Sequence, residues 1–149
     1  MKNTIKEIFE SHELLRLGTI GLDGMPNVRS VDFAHDPEDE STIYFTTFNM
    51  TNKVKEIEAN NNVYVVIDKP ADSIEKLAQI RYIRGKGKAY KVEDGKEIEK
   101  AMMNLVTKYP FLPELPGDAS QMSVYKIKLS EVFITDNNKG FGTVEVVNY

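Results

Sequence analysis

Three short stretches carry side chains that suit the capture of an anion: Arg29-Ser30-Val31-Asp32, Thr46-Thr47 and Thr51-Asn52-Lys53. Arginine offers a planar fork of donors, lysine a mobile point charge, and threonine a hydroxyl donor. If Thr51 caps a helix, the free N–H groups and dipole of that helix add positive potential at the same place. If the strand bearing Arg29 lies beside the one ending at Thr47, the set converges on a terminal phosphate. A plainer reading stays open, in which Arg29 is a surface strand residue paired to Asp32 or Glu56 and Thr51 is merely a cap.

The elements that must position these residues follow from periodicity. Thr4 and Glu7 form a capping box, and Ile5, Ile8 and Phe9 follow at helical spacing, so residues 4 to about 12 read as a short amphipathic helix that covers a barrel end. From Leu15 the period becomes two, Asp23-Gly24 marks a hairpin turn, and Val28 to Ala34 is the return strand. The polar turn from His35 to Ser41 leads into a β-branched and aromatic strand, residues 42–48. A helix of about two turns over 52–59 and a buried strand over 63–67 come next. Residues 69–77 read as loop. Residues 80–92 form a long strand in which Gly85 and Gly87 suggest a bulge. Between Asp94 and Tyr109, Ile98, Ala101, Met102, Leu105 and Val106 make the clearest amphipathic helix. A proline-rich loop, a strand over 123–135 and an extended tail complete the chain.

Six antiparallel strands with helices at their ends are too long to stay flat, and closure into a small barrel is the natural solution. The fold class expected is mainly β with peripheral helices, in a single domain over residues 1–149. At 149 residues, 41% hydrophobic and 28% charged, one core suffices, since a chain this size buries roughly 70% of its unfolded surface. No cysteine is present, which excludes disulfides, thiolate nucleophiles and Cys-ligated metals. Two histidines without cysteine make a poor zinc site, so no metal is expected. A net charge of −4 and a pI near 5.3 disfavour nucleic acid. No run of about 18 apolar residues occurs, so no membrane span is expected; residues 1–7 carry an acid and lack an apolar h-region, so no secretory leader is expected, and the protein reads as cytoplasmic.

Other constellations weigh less. Arg81, Arg84, Lys86, Lys88 and Lys91 crowd one strand, but alternation sets Arg84, Lys86 and Lys88 on one side, the ordinary pattern of a half-buried strand with a solvated face. Asp36 to Glu40 reads as a solvated acidic turn. His12 ends the first helix. His35 is the candidate catalytic histidine, with the alternative that it is a solvent-exposed turn residue.

One further observation changes the weight of the first. Ile43-Tyr44-Phe45-Thr46-Thr47 followed by Lys53-Val54-Lys55-Glu56-Ile57-Glu58-Ala59-Asn60, with Gly85 to Ala89 downstream, resembles the FMN-binding split-barrel family. That family includes pyridoxine phosphate oxidases, general stress proteins and nitroimidazole-resistance reductases, and the resemblance spans roughly residues 5–135. It implies a Greek-key split barrel, FMN as cofactor, and a homodimer with FMN at the subunit interface, with NADH or NADPH as an electron donor. By the same resemblance Arg29 and Lys53 hold the phosphate, Thr46 and Thr47 contact the ribityl and phosphate part, and Ser30, Val31 and Asp32 run along the ring, with Thr51 joining as a hydroxyl donor on the residue reading alone. Tyr82 matches a side chain contributed from the partner subunit, and Asn52 stands where many members have a second basic residue. Ala34 replaces the lysine that pyridoxine phosphate oxidases use for substrate phosphate, and the chain lacks their Trp-containing C-terminal segment. The function implied is therefore an FMN-dependent oxidoreductase of the flavin reductase or nitroreductase kind, not vitamin B6 oxidation. The alternative is a non-catalytic FMN module for electron transfer or stress, and more remotely a heme- or deazaflavin-binding relative.

Overall fold

The computed structural model describes residues 2–149. Helix α1 (Lys2–Ser11) precedes strands β1 (Leu14–Ile20), β2 (Pro26–Asp32), β3 (Ala34–Asp36) and β4 (Asp39–Phe48). Helix α2 (Asn52–Ala59), strand β5 (Asn62–Ile67), helix α3 (Ile74–Ala78) and strand β6 (Arg81–Lys91) follow. Helix α4 (Gly95–Lys108), strand β7 (Met122–Asp136) and strand β8 (Val144–Asn148) complete the order.

All strand pairs are antiparallel, and the sheet runs β2-β1-β5-β6-β7-β4-β3, with β8 added to β7. Its two terminal strands, β2 and β3, are consecutive in sequence, so the sheet must curl until its edges meet. The curl encloses a core of Leu15, Leu17, Phe33, Ile43, Phe45, Ile67, Ile83 and Ile127, all fully buried. Ile5, Ile8 and Phe9 of α1 join the same core and seal one end of the barrel.

Eight strands stand where six are expected, and each extra strand has a physical cause. The run read as one strand, 28–34, breaks at Phe33: β2 pairs with β1, whereas Ala34 and His35 pair with Tyr44 and Ile43 of β4. The break leaves the Phe33 backbone outside either ladder. The Tyr109 hydroxyl satisfies it, accepting from the Phe33 N–H (3.2 Å) and lying 3.1 Å from the Phe33 carbonyl oxygen, with the Glu13 carbonyl as a further acceptor. The other extra strand is the tail. It covers the Glu131–Thr135 edge of β7, beyond the reach of β4, which would otherwise be an open edge.

Three smaller expectations are corrected. Helix α1 starts at Lys2, so Thr4 lies inside it and does not cap it. The 69–77 loop gives way to α3, five residues capped by the Ser73 side chain on the Lys76 N–H. The acidic turn is not freely solvated: Asp36 is buried 2.9 Å from Lys100, and Asp39 pairs with Lys128 at 2.5 Å. Those lysines arrive from α4 and β7, which a local reading cannot see. The bulge falls between Lys86 and Gly87, as the glycines suggest, and a Cβ on Gly87 would collide with the Lys128 carbonyl.

Candidate anion site at the barrel mouth

The site is built where β1, β2, β4 and α2 meet. Strand alternation points Asn27, Arg29 and Val31 to the inner face of β2, and Arg29 sits opposite Leu17 on β1. Thr19, next along the same face of β1, is buried. Arg29 Nη1 therefore donates to Thr19 Oγ1 at 2.6 Å and approaches the Leu17 carbonyl at 3.4 Å. Its Nη2 donates to Glu56 Oε1 of α2 at 3.1 Å. Glu56 Oε2 accepts from Asn27 Nδ2 at 2.6 Å and from Thr19 Oγ1 at 3.3 Å.

A second cation approaches from the start of α2. Thr51 occupies the N-cap position with extended backbone, but its hydroxyl turns away from the helix, to the Phe48 carbonyl (3.0 Å) and to Thr47 Oγ1 (3.1 Å). The first N–H groups of α2 thus stay free of a side-chain cap. Lys53 Nζ donates to Thr47 Oγ1 at 2.8 Å. Burial, helped by the nearby Arg29 charge, holds the Lys53 ammonium below its ordinary value. That is the sign expected for two cations sharing a partly dehydrated corner.

Beside this corner run two unpaired strand edges. β2 has a ladder partner on one side, and from Phe45 to Phe48 β4 is paired to β7 alone. On the side of β2 away from β1, main-chain N–H and C=O groups of alternate residues in Ser30–Asp32 therefore border the mouth, with Ser30 exposed and Val31 buried. Arg29, Lys53, Thr47 and Thr51 are brought together as the spacing suggested, with Ser30 and Val31 adjoining. Thr46 is half-buried and points to the opposite face of β4, and Asn52 is exposed on the first turn of α2. Asp32 does not pair with Arg29; its charge acts on Lys108 and Tyr109 instead. Of the plainer alternatives, the Glu56 pairing is the one the molecule contains. Tyr82 lies on β6 opposite Thr135, outside the hydrogen-bonded cluster of its own chain.

His35 belongs to a different place and is neither exposed nor in a turn. It sits on β3 with its side chain 13% exposed, its ring 5.6 Å from that of Phe9. It lines a cleft of roughly 260 Å³ with Asn104 and Lys108. Burial lowers its pKa, against a smaller upward pull from Glu10, so the ring is neutral at pH 7. In the same corner Lys108 Nζ lies 3.4 Å from the Phe33 ring centre and donates to the Phe9 carbonyl at 2.8 Å. Its pKa is pushed down to about 8 by burial. Thr19, Asn27 and Glu56 are the site residues that the sequence left unassigned or undecided. Period-two spacing from Leu17 to Thr19 and from Asn27 to Arg29 is the signal that could have placed the first two.

On the outer face of the sheet a groove of roughly 840 Å³ runs past Gly18, Val28, Tyr64, Leu129 and Tyr149, and reaches the corner at Thr19. Val28 is 70% exposed there. Among the described residues no helix is long and apolar enough to cross a membrane.

Comparison with known proteins gives a consistent picture. The family model of pyridoxamine 5'-phosphate oxidase matches residues 1–136. No curated protein sequence matches the chain. Among solved structures, General Stress Protein 26 of Bacillus anthracis is 23% identical with a TM-score of 0.70, covering 99% of this chain and 98% of its own. A candidate pyridoxamine 5'-phosphate oxidase of Listeria innocua is 24% identical with a TM-score of 0.67, covering 89% and 96%. The heme storage protein HutZ of Vibrio cholerae is 16% identical with a TM-score of 0.74, covering 94% and 95%. At these identities the structures share the fold, and what each binds is its own property.

Proposed function

The chain belongs to the pyridoxamine 5'-phosphate oxidase family of split barrels, and on that premise we propose that it is an FMN-dependent oxidoreductase acting on a small substrate. The observation that carries this reading is the juxtaposition of Arg29 and Lys53, two cations at the start of α2, with the unpaired edge of β2. A phosphate needs charge and convergent donors, which Arg29, Lys53, Thr47 and Thr51 supply. A flavin ring needs a flat wall with main-chain donors and acceptors along its polar rim, which the outward-facing alternate residues of the Ser30–Asp32 edge supply. When bound, FMN supplies the hydride or electron chemistry, for which this cysteine-free chain has no redox side chain of its own. Arg29 and Lys53 neutralise and orient the phosphate, and β2 fixes the ring's register.

The exposed apolar outer face, with Val28, Met25, Leu22 and Tyr64 uncovered, supports a homodimer in which the partner's Tyr82 reaches the cofactor and NADH or NADPH acts as donor. His35 does not border the corner and is not proposed as a catalytic residue. That favours one second reading, a non-catalytic FMN carrier. Purified protein is expected to show a two-band flavin spectrum. A colourless protein that takes up no added FMN contradicts both readings, and a Soret band in its place points to heme. Flavin-dependent oxidation of NADH or NADPH with a nitroaromatic or quinone acceptor separates the enzyme from the carrier.

A further inference from the structure

Glu56 is an unusual neighbour for a phosphate anchor. It is 3% exposed, carries one of the Arg29 nitrogens at 3.1 Å, and its other oxygen takes donors from Asn27 and Thr19. β1 contributes Thr19 to its surroundings and β2 contributes Asn27 and Arg29, while Lys53 of its own helix lies near enough to Arg29 for the two positive charges to repel. With every one of these bonds made, the carboxylate is satisfied where it is, and displacing it would strand a buried charge. Arg29 and Lys53 bring two positive charges and Glu56 removes one. The uncapped start of α2 adds a partial positive charge of about one half, so the corner balances one negative charge and falls short of two. A second would stand uncompensated in a partly dehydrated setting.

A phosphomonoester is a dianion above its second pKa of about 6. We propose that Glu56 sets this corner to hold phosphate as a monoanion, so that capture of a phosphomonoester above pH 6 takes up one proton onto a phosphate oxygen. This rests on the FMN reading of the corner. Glu56 acts through Arg29 and is a positioning residue, one that selects ligand charge.

The test is calorimetric titration of wild-type protein with FMN at pH 8 in Tris and in HEPES, whose different ionisation heats report protons exchanged. Uptake of about one proton per FMN is expected with none for riboflavin, together with a loss of affinity for FMN of about tenfold per pH unit between pH 7 and 8.5. Uptake persists in Lys53→Arg, whose charge cannot titrate. It vanishes in Glu56→Gln, which binds FMN at least ~10-fold tighter at pH 8 and riboflavin as before. Tight FMN binding without proton uptake overturns the inference and leaves the FMN reading standing. Uptake lost in Lys53→Arg, or retained in a folded Glu56→Gln, overturns it too. Failure of FMN to bind at any pH overturns both.

Discussion

Phe33 divides one continuous run of chain into two corners of opposite electrical character. Upstream, on β2, Arg29 meets Lys53 and a single carboxylate at an open barrel mouth, and positive charge is left over. Downstream, His35 of β3 and Lys108 and Tyr109 at the end of α4 gather around Phe9 and Phe33, where Tyr109 serves the backbone of the crossover and Lys108 the Phe9 carbonyl of α1. Six residues lie between Arg29 and Asp36, yet cations stand open on one side and polar groups are tied to the chain on the other. The lesson concerns surplus: cations left over in a partly dehydrated but open mouth invite an anion, whereas the same residue types sealed among aromatic rings hold structure.

Substitutions on either side should separate accordingly. Arg29→Ala is expected to weaken FMN binding by roughly 30- to 150-fold, about 2–3 kcal/mol for charge-assisted bonds, with His35→Ala changing it less than about twofold. Fluorescence titration checks the order, and the reverse order erases the contrast between the corners. Tyr109→Phe removes the hydroxyl that completes the Phe33 break, and thermal melting should show a loss of about 1–3 kcal/mol while FMN affinity holds. A Tyr109→Phe variant that melts like wild type while losing FMN would place the functional side downstream.

The fold was legible wherever local pattern and tertiary fate agree. The α4 stripe and the long β6 and β7 strands follow from apolar spacing that the barrel then uses, and the bulge near Gly87 follows from the glycines. The break at Phe33 was not legible, because Val28 to Ala34 contains no glycine or proline to mark it. Only pairing to two different strands divides it. Tyr109 reads as one more apolar position on its helix, since nothing in the sequence says that its hydroxyl will meet Phe33 76 residues away. At the candidate site, the gathering of Arg29, Lys53, Thr47 and Thr51 was readable from residue type and order, whereas Thr46 turns to the opposite face of β4. Glu56 was readable only as one candidate partner, because its burial depends on how α2 lies over β1.

Smaller effects refine the contrast. Burial holds the Lys108 pKa down to about 8 in the folded state, so between about pH 8 and its unfolded value near 10.4 the unfolded chain binds more protons. Stability from this group therefore rises with pH through that window. Lys108→Met lacks it, and the melting-temperature difference should move in favour of wild type from pH 7 to pH 10; a difference independent of pH contradicts the buried-cation reading. The smallest effect belongs to the hairpin. Asp39 is held well below the ordinary carboxylate range, first by Lys128 and then by Ser41, a contribution present above about pH 4 and lost on further acidification. Both partners are over 40% exposed, so Lys128→Met should cost less than about 1 kcal/mol by melting at pH 7, and less still at pH 3.

The central claim, that the mouth beside α2 is a phosphate anchor for a flavin, is tested most directly by titrating the wild-type protein with FMN and riboflavin side by side at pH 6.5. A preference for FMN of about 30-fold or more, abolished in Arg29→Ala, is the result expected. Equal affinity for the two, or a preference that survives loss of Arg29, would contradict it.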